Sequence, residues 1–322
     1  MSDKIAIRDA YGQALKALGG LNRKVVALEA DVGGSTKSVL FGKEYPDRYF
    51  NVGISELNMV NMAAGLSLEG FIPYVNTFAV FMTSRALDPI QSLIAYDGLN
   101  VRLCGTYCGL SDSYDGASHQ AITDLAAMRS IPGMTVISVS DAVETKKAVM
   151  ALADYKGPAY LRLSRAPHPV VYEDNMEFEI GKGIVHRKGS DVTIISTGTV
   201  LHRVLEAADL LEQQGICATV VDMHTVEPID AELIEECAGK TGAILTVEEH
   251  SIRGGLGSAV AEAVSASCPV PVSILGAETF AESGDLDQLM EKYGYGARNI
   301  AARAREVIRQ KHVIKQNGYF NR

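Results

Sequence analysis

Short apolar, β-branched runs alternate with amphipathic segments along the chain, and this alternation restricts the possible fold most strongly. The predicted strands are Val25–Glu29, Val101–Gly105, Thr135–Ser138, Ala159–Arg162, Val192–Ser196, Ala218–Asp222, Ala243–Val247 and Val270–Leu275. The predicted helices include Arg8–Leu18, Glu56–Leu68, Asp141–Asp154, Val200–Gln214 and Gly257–Ala266. Strands that alternate with helices generally pair in parallel and are covered by helices on both faces. We therefore predict an α/β fold.

The alternation is interrupted between residues 166 and 189. There A-P-H-P-V-V-Y-E-D-N-M-E-F-E leads to G-K-G, a stretch with prolines, acidic residues and turn signals but no helical period. Such composition is typical of a linker. We predict two domains, 1–165 and 190–322, each a mostly parallel sheet covered by helices.

Charge and cysteine content exclude several classes of protein. The net charge of -9 argues against a nucleic-acid partner, although a few local arginines can still bind a small anion. The sequence has no run of 18 uninterrupted apolar residues and no signal-peptide pattern at its start, which argues against a membrane partner. Its five scattered cysteines lack a Cys-x-x-Cys pair, as expected of free thiols in the cytoplasm.

Two glycine-rich stretches invite comparison with phosphate-binding loops. D-V-G-G-S-T-K-S (31–38) lacks the spacing of a Walker loop, and R-G-G-L-G-S-A (253–259) lacks the third glycine of the dinucleotide fingerprint. Spacing alone therefore predicts that both are tight turns that lead into helices.

Glu56 is a lone carboxylate at the head of an apolar segment, N-V-G-I-S-E-L-N-M-V-N-M-A-A-G-L (51–66). Ser55 could cap a helix here, with the carboxylate facing water and favoured by the helix dipole. The apolar and amide neighbours instead favour burial. The preceding D-R-Y-F-N-V-G-I reads as a strand that ends at the carboxyl edge of a sheet, where α/β proteins bind ligands. A carboxylate buried there can share a proton with a partner base.

The motif N-T-F-A-V-F (76–81) places Phe78 and Phe81 three residues apart, on one face if the segment is helical. Such a pair is usually part of a core, but it can also form a stacking wall for a flat ring.

A polar loop, S-D-S-Y-D-G-A-S-H-Q (111–120), carries Asp115 and His119 four residues apart. Loops of this kind often hold binding residues, although a single loop histidine is more often a surface residue. Arg165 ends a predicted strand in L-R-L-S-R and is either solvated or a clamp for phosphate or carboxylate.

Several motifs occur together and in order: A-I-R-D-A-Y-G-Q-A-L, A-D-V-G-G-S-T, F-N-V-G-I-S-E-L-N-M-V, N-T-F-A-V-F, D-G-A-S-H-Q, L-S-R, V-D-M-H-T-V-E-P-I-D, V-E-E-H and G-G-L-G-S-A. In this combination the chain resembles the C-terminal portion of transketolase, a pyrimidine-binding domain followed by a C-terminal domain. The resemblance covers essentially the whole chain. It implies thiamine diphosphate as cofactor and transfer of a two-carbon ketol unit from a ketose, a sugar or sugar phosphate, to an aldose.

The resemblance also assigns cofactor-binding residues. Glu56 corresponds to the catalytic glutamate that bonds the aminopyrimidine ring and favours its imino tautomer, which starts activation of the cofactor. Phe78 and Phe81 correspond to the aromatic pocket around that ring, and Asp31 to an acidic contact.

For the substrate, the resemblance implies that Asp115 and His119 bind ketose hydroxyls, with His119 also assisting proton transfer. Arg8, Ser35 and Arg165 correspond to the clamp on the terminal phosphate, for which paired arginines are well suited. The chain departs from the family pattern at two positions. Tyr107 stands where many transketolases have a phosphate-binding histidine, and Ser84 replaces an aromatic beside the pyrimidine pocket.

The G-D-G…N motif of the family's diphosphate-binding domain does not occur in this sequence. The resemblance therefore implies that the ligands for Mg²⁺ or Ca²⁺, and for the cofactor's phosphates, belong to another polypeptide. We expect an N-terminal-section partner subunit, an α2β2 heterotetramer, no metal ligands in this chain and no activity from it alone. Three other interpretations stay open: a 2-oxoacid dehydrogenase β subunit, a 1-deoxyxylulose 5-phosphate synthase and a non-catalytic binding module of the same fold.

Overall fold

The protein, examined as a computed structural model that describes residues 4–316, is built from alternating strands and helices. The first half contains strands β1 (Lys4–Ala6), β2 (Val25–Glu29), β3 (Tyr49–Asn51), β4 (Ile72–Phe78), β5 (Arg102–Thr106), β6 (Thr135–Ser138), β7 (Ala159–Leu163) and β8 (Pro167–Pro169). Its helices are α1 (Ile7–Leu21), α2 (Gly33–Thr36), α3 (Val39–Glu44), α4 (Glu56–Leu68), α5 (Ala79–Arg85), α6 (Leu87–Pro89), α7 (Asp124–Arg129) and α8 (Ala142–Asp154), with a π-helical stretch over Ile90–Ala95.

The second half follows the same pattern. Its strands are β9 (Ile184–Arg187), β10 (Val192–Thr197), β11 (Ala218–Asp222), β12 (Thr225–Glu227), β13 (Ile244–Ser251) and β14 (Val272–Ala277). Its helices are α9 (Leu201–Glu212), α10 (Ala231–Thr241), α11 (Leu256–Ser267), α12 (Leu286–Lys292) and α13 (Ala297–Gln316). No helix within residues 4–316 is long and apolar enough to cross a membrane.

Two main sheets organise these elements. The first has seven strands in the order β12-β6-β7-β5-β4-β2-β3, and all its neighbours are parallel except β12 and β6. The second has five in the order β14-β13-β10-β11-β9, with only β9 antiparallel. The central strands β2, β5, β6, β7 and β11 are buried along their whole length, as expected of parallel strands covered on both faces. The predicted α/β class of parallel sheets covered by helices is confirmed.

The two halves are joined by more than a connecting segment. The stretch predicted as a linker, 166–189, contains β8, which pairs with β1, and β9, which joins the second sheet. In the opposite direction, β12 comes from the second half but pairs with β6 at the edge of the first sheet. The halves therefore share hydrogen-bonded sheet structure.

A group of buried carboxyls lies where the halves meet. Asp141 caps α8 and accepts hydrogen bonds from the backbone of Val171 and Tyr172, each at 2.8 Å. The Tyr172 hydroxyl donates to Asp222 at 2.8 Å. Burial raises the pKa of Asp222 to about 7. Burial, and then the nearby Asp222, also raises the pKa of Glu144 well above its ordinary value. This junction therefore favours protonated carboxyls.

Candidate active site

Glu56 is the first residue of α4, just beyond the carboxyl end of β3. The residue is 5% exposed, and its Oε1 accepts a hydrogen bond from Arg85 Nη1 at 2.8 Å. The Ser55 side chain does not cap the helix. The interpretation in which Ser55 caps and Glu56 faces water is therefore wrong, because this carboxylate is buried and ion-paired.

Arg85 connects Glu56 to the aromatic pair. Its guanidinium carbon lies 4.0 Å from the centroid of the Phe81 ring, an arrangement that favours the cation. The Phe78 and Phe81 rings are 5.7 Å apart, but not on one helix: Phe78 ends β4 and Phe81 lies in α5. The sequence analysis missed Arg85, whose signal was its position four residues after Phe81, on the same face of a helix.

His119 completes this aromatic wall. Its ring meets Phe81 edge-on at 5.2 Å and Phe78 at 6.0 Å, and its Nδ1 is 3.0 Å from the Ser118 hydroxyl. Ser84 is exposed on α5 and donates to the Val80 carbonyl at 2.5 Å. The structure thus brings together Glu56, Phe78, Phe81 and His119, residues that are up to 63 positions apart in the sequence.

Glu29, which the sequence analysis also missed, organises the loop that carries Asp31 and Ser35. Its Oε1 accepts from the backbone of Ala30 and Val32, both at 3.1 Å. Its Oε2 accepts from the hydroxyls of Thr36, at 2.7 Å, and Ser38. Burial raises the pKa of Glu29 to about 7, and these hydrogen bonds oppose the rise. The signal in the sequence was a carboxylate at the end of an otherwise apolar strand.

Asp31 follows this strand with a left-handed backbone, φ 63°, and accepts a hydrogen bond from Asn51 Nδ2 at 3.0 Å. Because β2 and β3 are parallel neighbours, Asp31 and Glu56 both lie beyond the carboxyl ends of adjacent strands.

Tyr107 contacts both Arg8 and Arg165, and these three residues form a group that we call the arginine cluster. Arg8 Nη1 donates to the Tyr107 hydroxyl and also to the Ser35 carbonyl at 3.3 Å. The Arg165 guanidinium lies 5.0 Å from the Tyr107 ring centroid. The ring also stacks on Phe78, with centroids 4.3 Å apart and planes inclined by 16°. Tyr107 therefore links the predicted phosphate clamp to the aromatic wall.

The backbone of Tyr107 is unusual. Its φ of 63° lies in the left-handed region, which typically costs about 1–3 kcal/mol for a residue with a bulky side chain. The surrounding packing maintains this conformation, since the side chain is 3% exposed.

Arg165 already has acidic partners. Its Nη1 donates to Asp112, whose side chain is fully buried, and lies 3.6 Å from an oxygen of Asp115. Burial, and then the Asp115 carboxyl, raises the pKa of Asp112 to about 6, although Arg165 opposes this. Asp112 is a third residue that the sequence analysis did not single out.

Two carboxylates of the second half, Glu248 and Glu249, hold backbone segments near the site in place. Glu249 accepts from the Leu110 backbone at 3.1 Å and from the Thr199 hydroxyl at 2.8 Å, which fixes the loop after Tyr107. Glu248 accepts from the backbone of Leu256 and Gly257 at the start of α11, at 2.7 and 2.8 Å. The glycine-rich stretch 253–259 is therefore a turn into a helix, as predicted, and its amides are taken by the chain's own carboxylate.

These residues fit one half of a thiamine cofactor. A buried carboxylate beside two phenyl rings and an imidazole offers a hydrogen-bond acceptor and flat apolar surfaces, which suit an aminopyrimidine ring. Within residues 4–316, no group of three or more His, Cys, Asp or Glu side chains could hold a metal ion.

Comparison with known families agrees with this geometry. Residues 3–169 match the model of the transketolase pyrimidine-binding domain, and residues 181–300 match that of the transketolase C-terminal domain. Fold and site together define a protein of the thiamine-diphosphate class. More particularly, the chain belongs to the transketolase family and corresponds to its C-terminal section.

Individual relatives cover the chain almost completely. A putative transketolase C-terminal section from Methanocaldococcus jannaschii is 41% identical, over 94% of this chain and 96% of that protein. The 6-deoxy-6-sulfo-D-fructose transketolase subunit SqwH of a Clostridium species is 39% identical, over 95% of both. Human transketolase is 41% identical over 96% of this chain, which spans only 50% of the human protein.

Solved structures show the same relationship. The structure described as a split gene transketolase, inactive beta4 tetramer, superposes with a TM-score of 0.90 at 46% identity and covers 95% of this chain and 99% of that one. Transketolase from Campylobacter jejuni, at 22% identity and a TM-score of 0.77, shares the fold over 46% of its length.

Proposed function

We propose that this chain is the pyrimidine-binding subunit of a split transketolase that transfers a two-carbon ketol unit from a ketose to an aldose. The observation that carries the proposal is the buried Glu56 carboxylate, ion-paired with Arg85, beside the wall of Phe78, Phe81 and His119. When bound, thiamine diphosphate would supply the electron sink for cleavage of the carbon–carbon bond.

The chain's own residues have distinct roles in this proposal. Glu56 holds a proton at a nitrogen of the aminopyrimidine, and Arg85 fixes the direction of its carboxylate. Phe78 and Phe81 exclude water from the face of that ring, and Asp31 adds an acidic contact. Burial strengthens the contacts of the Glu56 carboxylate, because little water competes for them.

For the sugar, we propose that Asp115 and His119 bind the hydroxyls of the ketose, with His119 assisting proton transfer. Arg8, Ser35 and Arg165 would form the clamp at its far end. Support comes from their convergence: Arg8 and Arg165 contact the loop 107–120, which carries Asp115 and His119, and the Ser35 carbonyl accepts a hydrogen bond from Arg8.

We further propose that a separate N-terminal-section subunit holds the cofactor's diphosphate with Mg²⁺ or Ca²⁺, in an α2β2 heterotetramer. The relatives described as a C-terminal section and as a split-gene subunit support this arrangement. All five cysteines lie within residues 4–316 and are free, which supports a reducing cytoplasm as the location.

The test is reconstitution. The purified chain is mixed with its presumed partner subunit, thiamine diphosphate, Mg²⁺ and a panel of ketose donors, and glycolaldehyde transfer to an aldose is measured. Because the name of the Clostridium relative specifies a sulfonated fructose for that protein, the panel includes this sugar. We expect transfer from the mixture and none from either subunit alone. Absence of transfer from every donor would contradict the proposal.

Glu56→Gln gives a sharper control, because it keeps the shape of the side chain and removes its charge. We expect loss of transfer with little change in thermal stability. Full activity in this variant would refute the role of Glu56 even if reconstitution succeeds.

The other interpretations receive less support. The relatives that match almost the whole chain are named as a transketolase C-terminal section, a transketolase subunit and a transketolase, and none of these three is named as a 2-oxoacid dehydrogenase β subunit. A non-catalytic module would need neither a buried, ion-paired Glu56 nor a tyrosine held in a left-handed conformation.

A further inference from the structure

The arginine cluster around Tyr107 has an uneven charge balance. Arg165 is hydrogen-bonded to the buried Asp112 and lies within ion-pair distance of Asp115. Arg8, by contrast, has no carboxylate within 4.0 Å among residues 4–316, and its Nη1 donates to two uncharged oxygens. The cluster therefore offers one cation that is not already compensated.

Arg8 also retains an unused donor. Its Nε is buried and has no hydrogen-bond partner among the described residues. A buried guanidinium N–H without an acceptor is unfavourable, so an oxygen of a bound ligand that reached this Nε would find an unused donor. A cavity of about 220 Å³ borders Arg8 and Arg165 and is lined in addition by Ser111, Ser113 and Tyr114.

The remaining charged group around this cavity is Asp285. Its carboxylate accepts from the Gln288 backbone at 3.1 Å as the cap of α12, where the helix dipole favours a negative charge. Asp285 forms no ion pair with Arg8 within 4.0 Å among the described residues, and as a further carboxylate at this cavity it makes the surroundings less favourable to a doubly charged anion.

The charge of the ligand's terminal group follows from this balance. A phosphate ester carries between −1.5 and −2 charges near neutral pH. A sulfonate or a carboxylate carries one. A doubly charged group would meet one uncompensated cation and would also approach the carboxylates of Asp112 and Asp115, and such like-charge contacts typically cost several kcal/mol.

We propose that the Arg8–Tyr107–Arg165 cluster selects ketose donors whose terminal group carries a single negative charge, in preference to phosphate esters. This inference rests on the proposed transketolase function. Asp112 is the specificity-determining residue, because it neutralises Arg165. Tyr107 is a positioning residue: its hydroxyl holds Arg8, and its stacking on Phe78 fixes the cluster relative to the cofactor pocket.

The test uses the reconstituted two-subunit enzyme and ketohexoses that differ only at carbon 6: 6-deoxy-6-sulfofructose, the 6-carboxylate, fructose 6-phosphate and fructose. We expect kcat/KM for at least one singly charged donor to exceed that for the phosphate at least tenfold. The sulfonate and the carboxylate separate a tetrahedral from a planar terminal group. A preference for fructose 6-phosphate would overturn the inference while leaving the proposed function intact.

Asp112→Asn frees Arg165 without changing the size of the side chain. We expect the ratio of kcat/KM for the sulfonate to that for the phosphate to fall about tenfold, while Asp97→Asn, at an exposed position on the surface, leaves it unchanged. Tyr107→Phe keeps the ring but removes the hydroxyl that holds Arg8. It should raise KM for the singly charged donor with kcat preserved. An unchanged ratio in Asp112→Asn would refute the role of Asp112.

A binding measurement makes the inference independent of activity. Nuclear magnetic resonance of the chain with ¹⁵N-labelled arginine follows each Nε–H, and Arg8→Lys identifies the Arg8 signal. Methanesulfonate should shift this signal at lower concentration than methyl phosphate at pH 7.5. The reverse order, or no shift with either anion, would contradict the inference even if no donor is turned over.

Discussion

Arg85 donates to Glu56 across 29 residues of sequence, at 2.8 Å, and at the same time covers the Phe81 ring at 4.0 Å. One guanidinium thus orients the carboxylate and packs on the aromatic wall. The Glu56 carboxylate, which is the proposed proton-holding group, is thus oriented by Arg85, a side chain that is itself 48% exposed. The position of the carboxylate should therefore respond to a ligand or subunit that covers Arg85.

We expect Arg85→Gln to raise the thiamine diphosphate concentration needed for half-maximal activity about tenfold, since a hydrogen bond to a charged group contributes roughly 1.5–3 kcal/mol. Titration of the reconstituted enzyme with cofactor measures this. Arg85→Lys should recover part of the loss, because it restores the charge but not the packing on Phe81. Arg23→Gln, at an exposed position, is the matched control. An unchanged cofactor requirement in Arg85→Gln would argue against orientation by Arg85.

Glu29→Gln should destabilise the loop 31–38. An amide can replace only one of the two oxygens that accept from Ala30, Val32, Thr36 and Ser38. We expect the free energy of unfolding to fall by about 1–3 kcal/mol and KM for the donor to rise, because Asp31 and Ser35 lie on this loop. Urea denaturation and steady-state kinetics measure the two effects. Glu44→Gln, at a half-exposed ion pair with Lys16, should change neither.

Asp112 should give sugar selection a pH dependence. Its pKa is raised to about 6, so it loses its proton as the pH rises from 5 to 7.5 and then neutralises Arg165. The ratio of kcat/KM for the sulfonated donor to that for fructose should therefore fall several-fold over this range, with a midpoint near 6. A sulfonate keeps one charge throughout, so the ligand does not contribute. In Asp112→Asn the ratio should be flat; a slope as steep as that of the unaltered enzyme would show that another group is responsible.

Asp222 should make stability depend on pH in the opposite sense to an ordinary ion-paired carboxylate. The pKa of Asp222 in the folded protein, about 7, lies above that of an unfolded aspartate. Its contribution to the free energy of unfolding is therefore fully present below about pH 4 and is lost as the pH rises to 7. We expect the free energy of unfolding of Asp222→Asn, relative to that of the unaltered chain, to rise by roughly 2 kcal/mol between pH 5 and 7.5, because the slope is up to ~1.4 kcal/mol per pH unit.

The difference between the two chains is the quantity to measure for Asp222, because buried histidines such as His168 and His202 titrate in both. Their lowered pKa values add an acid destabilisation that cancels in the comparison. Chemical denaturation at four pH values is sufficient. A difference that does not change with pH would mean that Asp222 is ionised throughout in the folded state.

The sequence predicted the main strands well, because a strand buried on both faces needs an unbroken β-branched run. Thr135–Ser138 and Ala218–Asp222 occur where they were predicted. It failed for Ile72–Phe78, which contains a proline and polar Asn76 and Thr77 and was not among the predicted strands; residues 76–81 were considered as a possible helix. Asn76 is buried because it bonds the Leu28 and Tyr74 carbonyls, a long-range arrangement that local pattern does not reveal.

For the candidate site, too, the sequence revealed residues with a local signal and missed residues that depend on long-range contacts. Glu56 stood out because its neighbours are uncharged, and its burial follows from that. Arg85 and Asp112 did not stand out, since their partners Glu56 and Arg165 are 29 and 53 positions away and only the folded chain brings them near. Glu29 was overlooked although its partners lie within nine positions of it. Tyr107 was noticed as a departure from the family pattern, but its left-handed backbone and its contacts with both arginines came from the structure alone.

The pairing of β12 with β6 limits how the chain can be divided into fragments. A fragment that ends at residue 169 would leave β6 with an open row of backbone donors and acceptors, since Thr225 and Glu227 normally cover that edge. Exposed edges of this kind promote aggregation. We therefore expect both halves together to stay soluble when fused or exchanged between enzymes, and the first half alone to aggregate.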